Sequence, residues 1–461
     1  VSTSHQPDVR PGRLAAAEYA QRFADATPRL TRSQALLEAE RCLYCFDAPC
    51  ATACPTSIDV PSFIRRIGDD NLRGAARTIL ESNPLGGMCA RVCPTENLCE
   101  AVCVRNTQEG KPVAIGRLQR HAVDALMESA NPQLFTRAPA TGKTVAVVGA
   151  GPAGLACAYT LARKGHDVVI LDARPKAGGL NEYGLASYKT PDNFAQREVQ
   201  WLLAIGGITI RNGWKLDSAA QLETLRKDHD AVFLGMGLFA THALGVPGED
   251  LAGVQDAVDF IAALRQSDDL STLPVGRRVV VIGGGMTAVD AAVQARLLGA
   301  DSVHMVYRRG PEALSASIEE QEWAQTNGVI IHHWMAPVEI VGTGTGAGEP
   351  GHVRGVRFEY QTLINGKLTP TGETEAIQAD MVLKAIGQQL GNPVLAAAGL
   401  QLEGGRIATD AEGQTSLPGV WAGGDCRAGG LDLTVEAVEH GKRSALAIHA
   451  HLTSATQAST A

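Results

Sequence analysis

Eight of the chain's ten cysteines fall between residues 42 and 103. "RCLYCFDAPCATACP" carries Cys42, Cys45, Cys50 and Cys54, and "CARVCPTENLCEAVC" carries Cys89, Cys93, Cys99 and Cys103. Thiols at this density either pair as disulfides or hold soft metals. The N-terminal stretch "VSTSHQPDVRPGRLAAAEYAQRF" lacks the charged, apolar and small-residue order of an export signal, so a cytoplasmic compartment and metal ligation are expected. Two all-cysteine zinc sites would also consume eight thiolates. Against zinc, Cys54 and Cys93 are each followed by proline. A C-x2-C-x4-C-x3-C-P run is of the iron–sulfur kind, in which the fourth cysteine ligates the other cluster. On that logic Cys54 joins the later group, and Cys42, Cys45 and Cys50 need a fourth ligand, for which arithmetic alone offers Cys89. Cys157 and Cys426 read as buried structural thiols.

The rest of the chain offers an electron source for such clusters. Gly149, Gly151 and Gly154 form G-x-G-x-x-G between the apolar run "VAVV" and the helical pattern "LACAYTLAR", and Asp172 ends the next strand-like run. In that order the glycines permit a tight turn, a close approach to a pyrophosphate and close helix packing, while the acid reaches a ribose. A second copy, "RRVVVIGGGMTAVDAAVQARLLGADSVHMVYRRG", has Gly283, Gly285 and Ala288 at the turn. There Tyr307 stands where the first copy has its acid, followed by Arg308 and Arg309. Losing a carboxylate and gaining guanidinium groups suits a 2′-phosphate, which favours NADPH over NADH. Asp290, on the second helix, reads as a local helix contact, and His332 and His333 as structural residues. "GGDC" at 423–426 resembles the second flavin motif of the two-dinucleotide flavoprotein disulfide-reductase superfamily. That resemblance implies FAD in the first unit, with Gly424 and Asp425 at the ribityl chain and a helix from about Leu433 aimed at the isoalloxazine.

These residues need three kinds of scaffold. Residues 1–138 are helical in pattern, with Phe63, Ile64, Ile67 and Leu72 near helical spacing and "IGRLQRHAVDALMESA" as a further amphipathic helix. Strand, turn and helix alternate afterwards, which argues for doubly wound parallel sheets. The expected division is a helical iron–sulfur domain (1–138), an FAD-binding domain in two segments (139–241 and 388–461) and an NAD(P)H-binding domain (242–387). A net charge of −8 argues against wholesale binding to nucleic acid or anionic membrane, and no apolar run is long enough to cross a bilayer.

With these residues in place, the chain resembles almost from end to end one family. It comprises the small subunit of bacterial glutamate synthase, the large subunit of NADH-dependent ferredoxin:NADP oxidoreductase and the N-terminal half of dihydropyrimidine dehydrogenase. "ESNPLGGMCARVCPTENLCEAVC" and "PVAIGRLQRHA" carry the likeness, nearest to the pyrimidine branch. It implies an α/β chain in which a helical double-[4Fe–4S] domain precedes two Rossmann-like domains, one for FAD and one for NADPH or NADH. It also implies that a glutamine, here Gln119, completes the first cluster with Cys42, Cys45 and Cys50. The second is then Cys54, Cys93, Cys99 and Cys103, with Cys89 spare. The activity implied is electron input: hydride from NAD(P)H to FAD, then single electrons through two clusters to an FMN-containing partner that reduces uracil or thymine. A glutamate-forming partner is the alternative within the enzymes, and a redox sensor holding zinc and a dinucleotide is the alternative outside them. The stretch "LNEYGLASYKTP" departs from the Gly-Ile-Pro of many relatives.

Overall fold

The structure, a computed structural model, describes residues 7–343 and 351–459; the first six residues of the stretch read for an export signal lie outside these. The chain forms two compact units. The larger comprises Thr27–Glu182, Asp192–Phe239 and Gln389–Ala461, and the smaller Val1–Ala26, Tyr183–Pro191 and Ala240–Gln388. The N-terminal segment, which its sequence groups with the cysteine-rich stretch, thus goes with the nicotinamide-type fold. Its strand Val9–Arg10 pairs antiparallel with Val275–Gly276.

In the larger unit the helix Val60–Gly68 buries Val60, Phe63, Ile64 and Ile67 on one face. The pattern read through Leu72 breaks there. Asp70 takes φ +57°, and Asn71 Oδ1 accepts the Gly74 N–H at 2.9 Å, so Leu72 opens a second helix, Leu72–Ser82. The helix Ile115–Met127 buries Ile115, Leu118, Ala122, Val123 and Leu126. Its buried polar groups are paired: Asp124 with Arg91 at 2.6 Å, and His121 Nδ1 with the Leu30 carbonyl at 2.9 Å.

The larger unit's parallel sheet runs Val420–Ala422, Ala231–Leu234, Thr144–Val148, Asp167–Asp172 and Ile208–Asn212. These short apolar strands are covered on both faces, as a parallel sheet requires. One cover is the helix Pro152–Arg163, against which the last helix, Thr434–Ser459, packs. The smaller unit repeats the theme with Val329–His332, Ser302–Val306, Arg278–Ile282, Met381–Lys384 and Val254–Asp256. A three-stranded antiparallel sheet, Met335–Gly342, Val353–Ile364 and Lys367–Gln378, accompanies it.

Asp290 corrects its sequence reading as a local helix contact. From the helix Met286–Leu297 it accepts the Ala186 N–H at 2.9 Å and pairs with Lys189 at 2.7 Å. Lys189 also pairs with Glu320 at 2.7 Å. A buried cation between two carboxylates therefore fastens Tyr183–Pro191 into the smaller unit, and the Lys189 ammonium is held well above its usual pKa range by these anions despite burial. Among the described residues no helix is long and apolar enough to cross a membrane.

At the crossing of the last helix and Pro152–Arg163, a β-carbon on Gly441 would overlap the Ala153 carbonyl oxygen. Gly441→Ala is expected to destabilise the larger unit by roughly 1–3 kcal/mol, read as a lowered midpoint of thermal unfolding.

Candidate functional site

Cys42, Cys45, Cys50 and Cys103 line one cavity, walled by Val60, Ile64, Val113 and Ile115. This grouping differs from the expected partition at Cys103. Cys103 was grouped with Cys54, Cys93 and Cys99, yet it stands with the first three cysteines. The cause is a return of the chain: Arg105 Nε donates to the Arg41 carbonyl at 2.6 Å, and Arg41 in turn donates to the carbonyls of Lys111 and Pro112. These bonds lace the segment after Cys103 against the residue before Cys42.

Gln119 does not line that cavity. Its helix packs on Gly86–Val92, the helix that runs into Cys93, and Gln119 Nε2 donates to the Gly86 carbonyl at 2.7 Å. Of the thiols that do not line the cavity, Cys54, Cys89 and Cys99 all lie near enough to Cys93 to raise it. Cys89 is buried, and its carbonyl accepts the Cys93 N–H at 3.0 Å.

The thiols themselves test whether a cluster fits. Burial and the neighbouring thiols push Cys42 up and Cys50 to about 11. The neighbouring Cys89 and burial raise Cys93, and burial with Glu100 and Cys54 raises Cys99. Groups crowded in this way can ionise together only around a compensating cation. Among the described residues no three Cys, His, Asp or Glu side chains converge to hold a single ion; Cys42, Cys45, Cys50 and Cys103 instead ring a cavity.

The first nucleotide turn is shaped by absent side chains. Gly149 sits at φ +103°, and a β-carbon on Gly154 would overlap the Gly149 carbonyl. Gly151 caps the helix in extended backbone, followed by Pro152 at the first helical position. A β-carbon there would meet nothing nearer than Gly179 Cα at 3.8 Å, so the mouth of the turn is open to a phosphate. Asp172 uses its carboxylate inward, accepting the Ala150 N–H at 2.6 Å and the Arg174 N–H at 2.8 Å. Gly424 packs on Ala153, which brings Asp425 beside this helix start. Burial and Asp432 push the Asp425 carboxyl up to about 7, against the pull of Arg406.

Two residues here escaped the sequence reading. His440 Nδ1 accepts the Gly424 N–H at 3.3 Å, and burial with Arg427 and Arg443 holds the imidazole down to about 4. It is therefore a neutral acceptor that secures the Gly-Gly-Asp turn. Glu198, buried, accepts the Gly87 N–H at 2.8 Å and the Met88 N–H at 3.2 Å through Oε1. Its one signal in the sequence is an acid on the apolar stripe of "FAQREVQWLL", beside Phe194, Val199 and Leu202.

The second turn repeats the geometry. A β-carbon on Gly283 would overlap the Ala385 carbonyl, Gly285 caps Met286–Leu297 in extended backbone, and Ala288 is buried. Tyr307 packs on Gly284 and donates to the Ala313 carbonyl at 2.7 Å. Arg308 and Arg309 lie just past the strand that neighbours the turn, and both are exposed. His332 stacks on His304 across adjacent strands, Nε2 to Nδ1 2.8 Å.

Residues 143–441 match the family described as pyridine nucleotide-disulphide oxidoreductase, and residues 19–131 that described as dihydropyrimidine dehydrogenase domain II, 4Fe-4S cluster. The chain belongs to the pyridine nucleotide-disulphide oxidoreductase family and is an NAD(P)H-dependent flavin and iron–sulfur oxidoreductase, with FAD and a 4Fe–4S domain. Among its relatives is the NAD-dependent dihydropyrimidine dehydrogenase subunit PreT of Salmonella typhimurium, 35% identical, the match covering 93% of this chain and 97% of PreT. The Escherichia coli glutamate synthase [NADPH] small chain is 32% identical, over 92% of each chain. Solved structures share the fold. Mycobacterium tuberculosis FprA in complex with NADPH gives a TM-score of 0.57 at 20% identity, covering 70% of this chain and 86% of FprA. T. acidophilum thioredoxin reductase gives 0.51 at 22% identity, covering 68% of this chain and 99% of its own.

The two cysteine groups can be separated by substitution. Cys103→Ser is expected to lose the cluster of Cys42, Cys45 and Cys50 and about half the bound iron, while Cys89→Ser keeps both clusters. Iron content and the visible spectrum of the purified chain check both.

Proposed function

We propose that the chain is the electron-input subunit of a two-component dihydropyrimidine dehydrogenase. It would accept hydride from a nicotinamide dinucleotide and pass single electrons to an FMN-containing partner that reduces uracil or thymine. The observation that carries this reading is one chain joining a cysteine-ringed cavity to two unlike nucleotide turns, with 35% identity to PreT over nearly all of PreT. FAD, when bound, converts a two-electron hydride into single electrons that clusters can carry.

The chain's own residues supply binding and orientation. Gly149, Gly151 and Gly154 would present backbone N–H groups to the FAD pyrophosphate. Asp172 fixes that turn and keeps lone pairs for a ribose, and Gly424 and Asp425 would meet the ribityl chain. Gly283, Gly285 and Ala288 would admit the nicotinamide dinucleotide. Cys42, Cys45, Cys50 and Cys103 would hold one [4Fe–4S] cluster, and Cys54, Cys93, Cys99 and Gln119 the other. No acid–base residue is assigned, because delivering hydride to a flavin rests on positioning.

Arg308 and Arg309 favour NADPH, whereas the name of PreT gives that protein as NAD-dependent. A charge-assisted hydrogen bond is worth about 1.5–3 kcal/mol. Arg308→Ala should therefore lower kcat/KM for NADPH roughly 10- to 100-fold and leave that for NADH nearly unchanged. An equal loss with both donors would remove the 2′-phosphate role.

The whole reading is checked anaerobically. NADPH or NADH should bleach the flavin bands of the purified chain, and uracil should be reduced only after an FMN-containing partner is added. A chain without flavin bands or a broad iron–sulfur shoulder sinks the electron-transfer reading. Coupling to a glutamate-forming partner instead would assign it to the glutamate synthase branch, in keeping with its 32% identity to that small chain.

A further inference from the structure

An amide oxygen is a weak ligand for iron, so a glutamine in that role needs its oxygen aimed and its geometry held. We infer that Glu198 is the positioning residue for the Gln119 amide, acting through the single peptide group that joins Gly86 to Gly87. The inference rests on the reading that Gln119 ligates the second cluster.

That peptide group is gripped at both ends. Its N–H, on Gly87, donates to Glu198 Oε1 at 2.8 Å. Its carbonyl, on Gly86, accepts from Gln119 Nε2 at 2.7 Å. The amide nitrogen of Gln119 is thereby committed to the carbonyl, which fixes the direction of Oε1, the atom left to face a metal. Hydrogen bonds in series polarise one another. An acceptor on the Gly87 N–H makes the Gly86 carbonyl a better acceptor, and this in turn leaves more electron density on Gln119 Oε1.

The surroundings allow the peptide little freedom. A β-carbon on Gly87 would stand 2.5 Å from Phe194 Cζ and 2.7 Å from Glu198 Oε1. One on Gly86 would stand 2.6 Å from Ile79 Cγ2. The "GG" of "NPLGGMC" is therefore the seat that lets Glu198 and Gln119 reach opposite ends of one amide. Arg91 closes the arrangement: it stacks 3.4 Å over the Phe194 ring, donates to the Gly87 carbonyl at 3.1 Å and pairs with Asp124 at 2.6 Å. Glu198 comes from the helix Phe194–Leu203 and Gln119 from Ile115–Met127. A side chain packed beside the nucleotide-binding sheet thus sets the ligand of a cluster in the helical region.

The test is an EPR-monitored redox titration of the full chain, purified anaerobically, as parent, Glu198→Ala, Glu198→Gln and Gln119→Leu. Glu198→Ala should raise the midpoint of one cluster signal and leave the other in place. The expected shift is about a tenfold change in reduced fraction at fixed potential, about 59 mV for a one-electron couple. Glu198→Gln, which keeps an Oε1 acceptor, should stay with the parent. Should Glu198→Ala fail to fold, Glu198→Asp, which withdraws the acceptor by one methylene, is read by the same criterion. Unchanged midpoints in the acceptor-deficient variant overturn the inference, as do equal shifts in both signals, which indicate general loosening. Gln119→Leu separates the two layers. If it leaves both signals unaltered, the ligand reading falls; if it shifts one signal while Glu198→Ala shifts none, only the positioning role falls.

Discussion

Crowded thiols cannot all carry charge unless something positive lies among them, and the helical region is organised around that electrostatic constraint. Burial and mutual repulsion raise Cys42, Cys50, Cys93 and Cys99. A cationic cluster would compensate that charge, each thiol giving up its proton as it becomes a ligand. The helices around the cavity also bury apolar side chains such as Phe63, Ile67 and Leu118. Their packing faces, such as Val60, Ile64 and Ile115, line the cavity wall, so walls and ligands come from the same turns of chain.

The nucleotide-binding regions answer a different constraint, the closest approach of backbone to backbone. At Gly149 and Gly154, and again at Gly283, a β-carbon would overlap a carbonyl oxygen. Polar groups near these turns are then spent on holding them or the segments packed beside them. Asp172 takes the Ala150 N–H, His440 takes the Gly424 N–H, and Asp290 takes the Ala186 N–H. Each is an acceptor aimed at a backbone donor, His440 and Asp290 buried and Asp172 half-buried. Function at these turns is thus carried largely by main chain, with side chains acting as braces.

This explains what could be read from the sequence. Both turns were legible because only glycine meets the steric demand, and it must recur at fixed spacing after a strand. The parallel sheets followed from apolar runs alternating with helical patterns, and they include the short apolar strands Ala231–Leu234 and Met381–Lys384. The braces were not legible, since a brace depends on which distant backbone it meets. Asp290 read as local because nothing in its own helix points to Lys189. Glu198 read as nothing at all. The helix break at Asp70–Asn71 was hidden because apolar spacing continues across it, and only a left-handed residue and a side-chain cap interrupt it.

The cysteines fall between these cases. Their number and their likeness to iron–sulfur runs were plain, and so was the principle that one run serves two sites. The company of Cys103 was not, because it follows from hydrogen bonds between segments distant in the chain, those that tie Arg105 to Arg41 and Arg41 to Pro112. On the grouping proposed here both clusters draw on both runs. One joins Cys42, Cys45 and Cys50 to Cys103, and the other joins Cys54 to Cys93, Cys99 and Gln119. The intervening helices Val60–Gly68 and Leu72–Ser82 are then enclosed twice, as if by two cross-links over nested loops. Closing a loop of this length costs only slowly growing entropy, so two closures over one loop cost much less than two separate ones. Interleaving the ligands therefore lets assembly of the first cluster prearrange the residues of the second, which two self-contained four-cysteine sites could not do.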